Sequence, residues 1–66
     1  MNAVEQILPE LPVNNLNLYM ELGHKAGEQG RIKESIEWYK KGLEKARSLK
    51  DQQRIREFSG LIFTLL

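Results

Sequence analysis

The sequence predicts an all-α fold in which a helical hairpin is followed by a third, capping helix. Apolar residues recur at spacings of three and four in three successive segments, as they do on one face of a helix. Gly30 and Asp51 separate these segments, and both are residue types found at helix ends. The chain also has no run of alternating apolar and polar residues, which is the pattern typical of a half-buried strand.

The length and composition of the chain restrict its size class and its chemistry. With 66 residues it is about half the length of a typical domain, so we expect one folding unit. It contains no cysteine and a single histidine, His24, which leaves zinc sites and catalytic triads without the partners they need. We therefore predict no enzyme activity, no metal and no cofactor.

The net charge and the lengths of the apolar runs argue against nucleic acid as a partner and against a membrane span. Ten basic and nine acidic residues give a net charge of +1, so nucleic acid is a poor candidate partner. The longest apolar run, residues 61–63, is too short to cross a bilayer. The N-terminus lacks the basic flank and apolar core of a secretion signal. We expect a cytoplasmic protein without a membrane span.

Residues 1–14 form an N-terminal segment that we separate from a helical domain at residues 15–66. Pro9 and Pro12 both lie in this segment. Proline lacks a backbone N–H and favours extended geometry in the residue before it, so we expect an irregular structure there.

The first predicted helix extends from Asn15 to Gln29. Asparagine is a preferred N-cap residue, and Gly30 suits the left-handed conformation in which many helices end. The apolar stripe of this helix has spacings of three and four and consists of Leu16, Tyr19, Leu22 and Ala26.

Two further helices are predicted after Gly30. The second covers Ile32–Leu49, and the third extends from Gln52 to the end of the sequence with Asp51 as its N-cap. The second helix carries the most regular apolar stripe of the chain, formed by Ile32, Ile36, Tyr39, Leu43 and Ala46. The stripe of the third helix comprises Ile55, Phe58, Ile62 and Leu65, broadened by Leu61, Phe63 and Leu66.

Aromatic and small residues in the first two helices resemble the pattern of a tetratricopeptide repeat. The matching segments are Tyr19-Met20-Glu21-Leu22-Gly23 and Ser35-Ile36-Glu37-Trp38-Tyr39, with Gly42 as a further small residue. Gly23, Ser35 and Gly42 remove side-chain bulk, which would let two helices approach closely.

The match to the repeat pattern covers about one 34-residue repeat, roughly half of the chain. It departs from the family at three places. Ala26 replaces the usual tyrosine, Arg31 replaces the usual capping aspartate, and the terminal proline due near Arg47 is missing. The resemblance implies a protein–protein interaction module, such as a small adaptor, assembly factor or scaffold, whose partner is another protein or peptide.

In tetratricopeptide repeats the first helix of each hairpin lines an inner groove that binds partners. The resemblance therefore implies a groove face formed by Asn17, Met20, His24 and Glu28. One branch of the family holds the terminal carboxylate of its partner with a lysine and an asparagine. Met20 and His24 occupy those places here, so this binding mode is not expected. A plain exposed position is the alternative interpretation of His24.

Apolar residues near the end of the chain predict self-association, most simply as a homodimer. Solenoid repeats bury their core against neighbouring repeats, and this chain has one recognisable repeat and one further helix. The predicted oligomer interface comprises Trp38, Phe58, Leu61, Ile62, Phe63, Leu65 and Leu66. Cover by the third helix or by the N-terminal segment is the alternative for Trp38. Cover of the C-terminal apolar residues by Val4, Ile7 and Leu8 is the alternative that would keep the chain monomeric.

Uneven charge along the chain leaves other functions open. Residues 1–39 hold three basic and six acidic side chains, whereas residues 40–66 hold seven basic and three acidic ones. A nucleic-acid-associated or regulatory helical protein could use this basic half, although a solvated helix face is the plainer interpretation. The chain could also be a fragment of a longer repeat array.

Overall fold

The computed structural model describes residues 15–66, which form three α-helices joined by two short connections. Helix α1 is Leu16–Glu28, α2 is Ile32–Leu49 and α3 is Gln52–Leu65. These bounds confirm the predicted all-α hairpin with a third helix. The predicted irregular segment, residues 1–14, lies outside the described residues.

Side chains at the predicted positions cap two of the three helices. The Asn15 carboxamide oxygen accepts a hydrogen bond from the Leu18 N–H at 3.2 Å, at the start of α1. The Asp51 carboxylate accepts one from the Arg54 N–H at 3.1 Å, at the start of α3. Arg31, which precedes α2, makes no side-chain cap bond.

Both connections use a left-handed backbone conformation, but only one of them uses glycine. Gly30 has φ +80° between α1 and α2, as its position in the sequence predicts. Lys50 has φ +58° between α2 and α3, where sequence reasoning expected nothing unusual. A side chain in this conformation is strained by its Cβ, which glycine lacks.

We expect Lys50→Gly to stabilise the chain by up to about 1 kcal/mol, because it relieves the left-handed strain at the end of α2. Chemical denaturation followed by circular dichroism measures the change. Lys40→Gly is the matched control, since Lys40 is exposed inside the same helix and glycine there should cost about 1 kcal/mol. Destabilisation by both substitutions to the same degree would contradict the prediction.

The hydrophobic core lies on both sides of α2, which packs against α1 and against α3. Trp38 faces α1, and its ring centroid is 6.2 Å from that of Tyr19. Tyr39 faces both neighbours, since its ring lies 5.7 Å from His24 on α1 and 6.3 Å from Phe58 on α3. Adjacent residues of α2 are therefore both buried, because the helix has a neighbour on more than one side.

Gly23 creates the close contact between α1 and α2. A Cβ at this position would lie 2.6 Å from Cδ1 and 2.8 Å from Cζ of Tyr39, far inside the usual carbon–carbon contact distance of about 3.5–4.0 Å. Ser35 strengthens the same contact, since its buried hydroxyl donates a hydrogen bond to the Gly23 carbonyl at 2.7 Å. The predicted role of these two small residues in the hairpin is confirmed.

Gly42 serves a different helix pair from the one predicted. A Cβ there would lie 2.5 Å from Cζ and 2.6 Å from Cε1 of Phe58, so its missing side chain admits the phenyl ring of α3. The expectation that Gly42 brings α1 and α2 together is wrong. The same device, an aromatic ring seated on a glycine, thus occurs once at each helix interface.

Within residues 15–66, no helix combines the length and the apolar character needed to cross a lipid bilayer.

Candidate protein-interaction surface

A concave surface of about 700 Å³ lies between α1 and α3. These two helices both pack on α2 but touch each other only weakly, which leaves the space between them open. Met20 and His24 line it from α1. The residues that line it from α3 and its N-cap are Asp51, Gln53, Arg54, Arg56, Glu57, Gly60, Leu61 and Thr64.

The structure brings together part of the groove face implied by the family resemblance. Met20, which is half-buried, and His24, which is exposed, both line the concave surface. Asn17 is exposed and is hydrogen-bonded to Arg54, a residue of that surface. Glu28 lies farther along α1 and lines an adjoining cleft instead.

The exposed ring of His24 is held by the buried residue Tyr39. A 2.6 Å hydrogen bond joins its Nδ1 to the Tyr39 hydroxyl, and the two rings meet edge to face. Tyr39 is in turn held between Gly23 and Phe58. The imidazole is therefore positioned by the core, which lowers the entropy lost if a partner contacts it.

Arg54 is the residue of this surface that sequence reasoning missed. Its guanidinium donates hydrogen bonds to the Asn17 carboxamide oxygen and, at 3.6 Å, to the Met20 sulfur. It also forms an ion pair with Glu57 at 3.3 Å. Arg54 thus links α3 to α1 across the concave surface. In the sequence it was only one of the basic residues of the second half, with no signal for a partner 37 positions earlier.

An apolar cleft of about 320 Å³ continues the concave surface toward the C-terminal ends of α1 and α3. Three residues line both spaces, namely His24, Leu61 and Thr64. The other lining residues of the cleft are Gly27, Glu28, Ile32, Ser35, Tyr39 and Leu65. One continuous surface therefore has a charged end near Arg54 and an apolar end near Leu65.

The predicted oligomer interface is only partly exposed. Trp38 is 5% exposed and Phe58 is 0% exposed, so their assignment to an outer interface is corrected: both belong to the core. Leu61, Ile62 and Leu65 are half-buried. Phe63 and Leu66 remain 79% and 86% exposed, and they are the residues of the predicted set with most surface to offer.

Basic residues of the second half of the chain do not all share one surface. Lys41 and Lys45 line a shallow recess beside Tyr19. Arg54 and Arg56 line the concave surface between α1 and α3, where Arg54 is already paired with an acidic side chain. These four basic residues therefore do not line a single recess. Among residues 15–66, no three histidine or acidic side chains are grouped so that they could hold a metal ion.

Comparison with known proteins identified no relative of this chain. A scan against protein-family models, a search of curated proteins and a search of solved structures each found no match. The resemblance to tetratricopeptide repeats therefore rests on the residues of this chain alone.

Proposed function

We propose that this chain is a protein–protein interaction module that binds a peptide segment of another protein along the concave surface between α1 and α3. The observation that carries the proposal is the open space of about 700 Å³ that Met20 and His24 share with Arg54 and Leu61. The resemblance to tetratricopeptide repeats supports the same face.

The chemistry of the surface suits a peptide with both polar and apolar side chains. Met20 carries a flexible, polarisable side chain, which adapts to different partners. The cleft beside Leu61 and Leu65 can take an apolar side chain. Arg54 and His24 are held by neighbours from the other helices, so they present donors and acceptors in fixed places. A combination of a few fixed polar groups with an apolar recess is typical of ligand-binding sites.

We expect Met20→Ala and His24→Ala each to weaken peptide binding by roughly tenfold while helicity stays nearly unchanged. Peptides selected from a random library against the full chain provide the ligand, and fluorescence anisotropy measures affinity. Glu37→Ala is the control, because Glu37 is exposed on α2 and lies outside the concave surface. Binding that survives both substitutions, or that Glu37→Ala weakens equally, would count against the proposed surface.

Nucleic-acid binding is the competing function, and a salt series separates it from peptide binding. Affinity for nucleic acid falls steeply with salt, because binding releases counterions from the phosphates. The division of the basic residues between two surfaces favours the peptide. We also propose the cytoplasm as the location, since a sequence without cysteine is compatible with a reducing compartment.

A further inference from the structure

Helix α3 repeats the design of helix α1. The two N-caps, Asn15 and Asp51, are 36 positions apart. Each accepts a hydrogen bond from the backbone N–H three residues later, at Leu18 and Arg54. The two helices therefore begin in the same way and in the same register.

The same offset of 36 positions relates the residues that pack these helices. It pairs three aromatic or apolar residues and one small residue of α1 with three apolar residues and one small residue of α3. The pairs are Tyr19 with Ile55, Leu22 with Phe58, Gly23 with Ser59 and Ala26 with Ile62. Helix α3 is thus built like the first helix of another hairpin.

The corresponding faces differ in what covers them. In α1, Tyr19, Gly23 and Ala26 are buried in the contact with α2. In α3, the corresponding Ile55 and Ile62 are half-buried and Ser59 is exposed. Helix α3 packs on α2 through Phe58, and Ile55 and Ile62, which flank Phe58 around the helix, pack against the core only in part.

A stripe that the other described helices cover only in part therefore runs along α3, and we call it the α3 stripe. It consists of Ile55, Ser59, Ile62 and Leu66, at spacings of four, three and four that place them on one side of a helix. This spacing is the one with which helices pack side by side.

We propose that the α3 stripe is covered by a second copy of this chain, so that the two α3 helices pack antiparallel around a two-fold axis between residues 60 and 61. The stripe is self-complementary in this arrangement. Ser59 lies opposite Ile62 of the second copy, and Ile55 lies opposite Leu66 of the second copy. A small residue thus faces a large one, as it does at both interfaces within the chain.

Residues at the exposed edge of the stripe would also contact their complements on the second copy. Arg56 and Phe63 are both exposed on the side away from Phe58. The two-fold axis brings Phe63 of one copy beside Arg56 of the other, twice. A guanidinium is attracted to an aromatic face, so these contacts complement each other electrostatically.

Phe63 and Leu66 supply part of the area that a stable pair needs. An aromatic side chain can bury about 150–250 Å², and Phe63 is 79% exposed. Two copies of this residue could therefore contribute roughly 250–400 Å² of the approximately 1,000 Å² that a specific interface needs. Leu66, at 86% exposure, adds to this from the end of each stripe.

This dimer does not depend on the proposed peptide-binding function. The α3 stripe shares no residue with the lining of the concave surface, and of the residues that the pairing uses only Arg56 belongs to that lining. Met20 and His24, which line the surface from α1, take no part in the pairing. A failure of one proposal leaves the other standing.

Sedimentation equilibrium of the full chain, from micromolar to millimolar concentration, tests the pairing. We expect wild type to reach twice its 7.7 kDa mass and Phe63→Lys to stay monomeric, because the new ammonium group would lie beside Arg56 of the other copy and repel it. Thr64→Lys is the control, since it adds the same charge to an exposed neighbour about 100° away around the helix and should still dimerise. A folded wild-type monomer at every concentration would overturn the proposal and leave the stripe to a following helix or another protein.

Oxidative cross-linking tests where the copies meet. The sequence has no cysteine, so Ser59→Cys introduces a single thiol close to the two-fold axis. We expect it to form a covalent dimer readily, because the two copies bring this position within disulfide reach. Ser48→Cys, an exposed serine on α2, should stay uncoupled. A dimer in which only Ser48→Cys couples, or both couple equally, would show that the copies do not meet at α3.

Discussion

Gly23→Ala is expected to destabilise the chain by about 1–3 kcal/mol, although alanine is the better helix former. The new Cβ would lie 2.6 Å from Cδ1 of Tyr39. The ring has nowhere to move, because it is buried against Phe58 and its hydroxyl is bonded to His24. A domain of this size has a total stability of roughly 3–10 kcal/mol, so the loss is large.

Gly60→Ala is the matched control for this prediction. Gly60 is also a glycine inside a helix, but a Cβ there meets no atom within 4 Å. The substitution should therefore stabilise the chain by up to about 1 kcal/mol through helix propensity alone. Urea denaturation of both variants measures the difference. The same sign of change for both would disprove the close contact between Tyr39 and Gly23, and with it the basis of the repeat resemblance.

Phe58→Ala is expected to have the largest effect of any single truncation in α3, about 3–5 kcal/mol. Its ring is fully buried and fills the space that Gly42 leaves open. Truncation would create a cavity between α2 and α3, and the remaining contacts of α3 would then hold it only weakly. A loss of this size approaches the whole stability expected for the chain.

Phe63→Ala is the control for Phe58→Ala, because the same residue type on the same helix is exposed there. At a dilution that keeps the chain monomeric, it should change the melting temperature little. Thermal denaturation followed by circular dichroism compares the two variants. Equal losses would mean that the core does not depend on the seating of Phe58 against Gly42.

The helices themselves could be predicted from the sequence because their signals are local. Caps such as Asn15 and Asp51 act within one helical turn, and Gly30 sets its own backbone conformation. The predicted bounds of α2 agree with the structure, and those of α1 and α3 agree to within one residue at each end.

Contacts between helices were less predictable because spacing does not identify the partner. Gly42 is a small residue in α2, and nothing in the neighbouring sequence indicates whether it packs against α1 or against α3. Trp38 and Tyr39 point in different directions, which suggested that one of them was exposed. Both are buried because α2 is the middle helix.

The concave surface could be predicted only from its α1 side. The family resemblance predicted that Met20 and His24 would lie on this surface. Arg54 could not be predicted in the same way, because it reaches the surface only through the position of α3 beside α1. The correspondence between α1 and α3 does have a signal in the sequence, in the caps and in the pairs of large and small residues. This signal is hard to recognise because the residues beside Ile55 are charged and differ from those beside Tyr19.

The middle position of α2 bears on the order in which the chain folds. Each helix packs mainly on the helix next to it in sequence, across connections of residues 29–31 and 50–51 only. Contacts this local need little loop closure, and chains of such topology fold fast. Tyr39 meets Gly23 without any part of α3. The contact between α1 and α2 can therefore form before α3 docks, and α3 then packs on a surface that already exists.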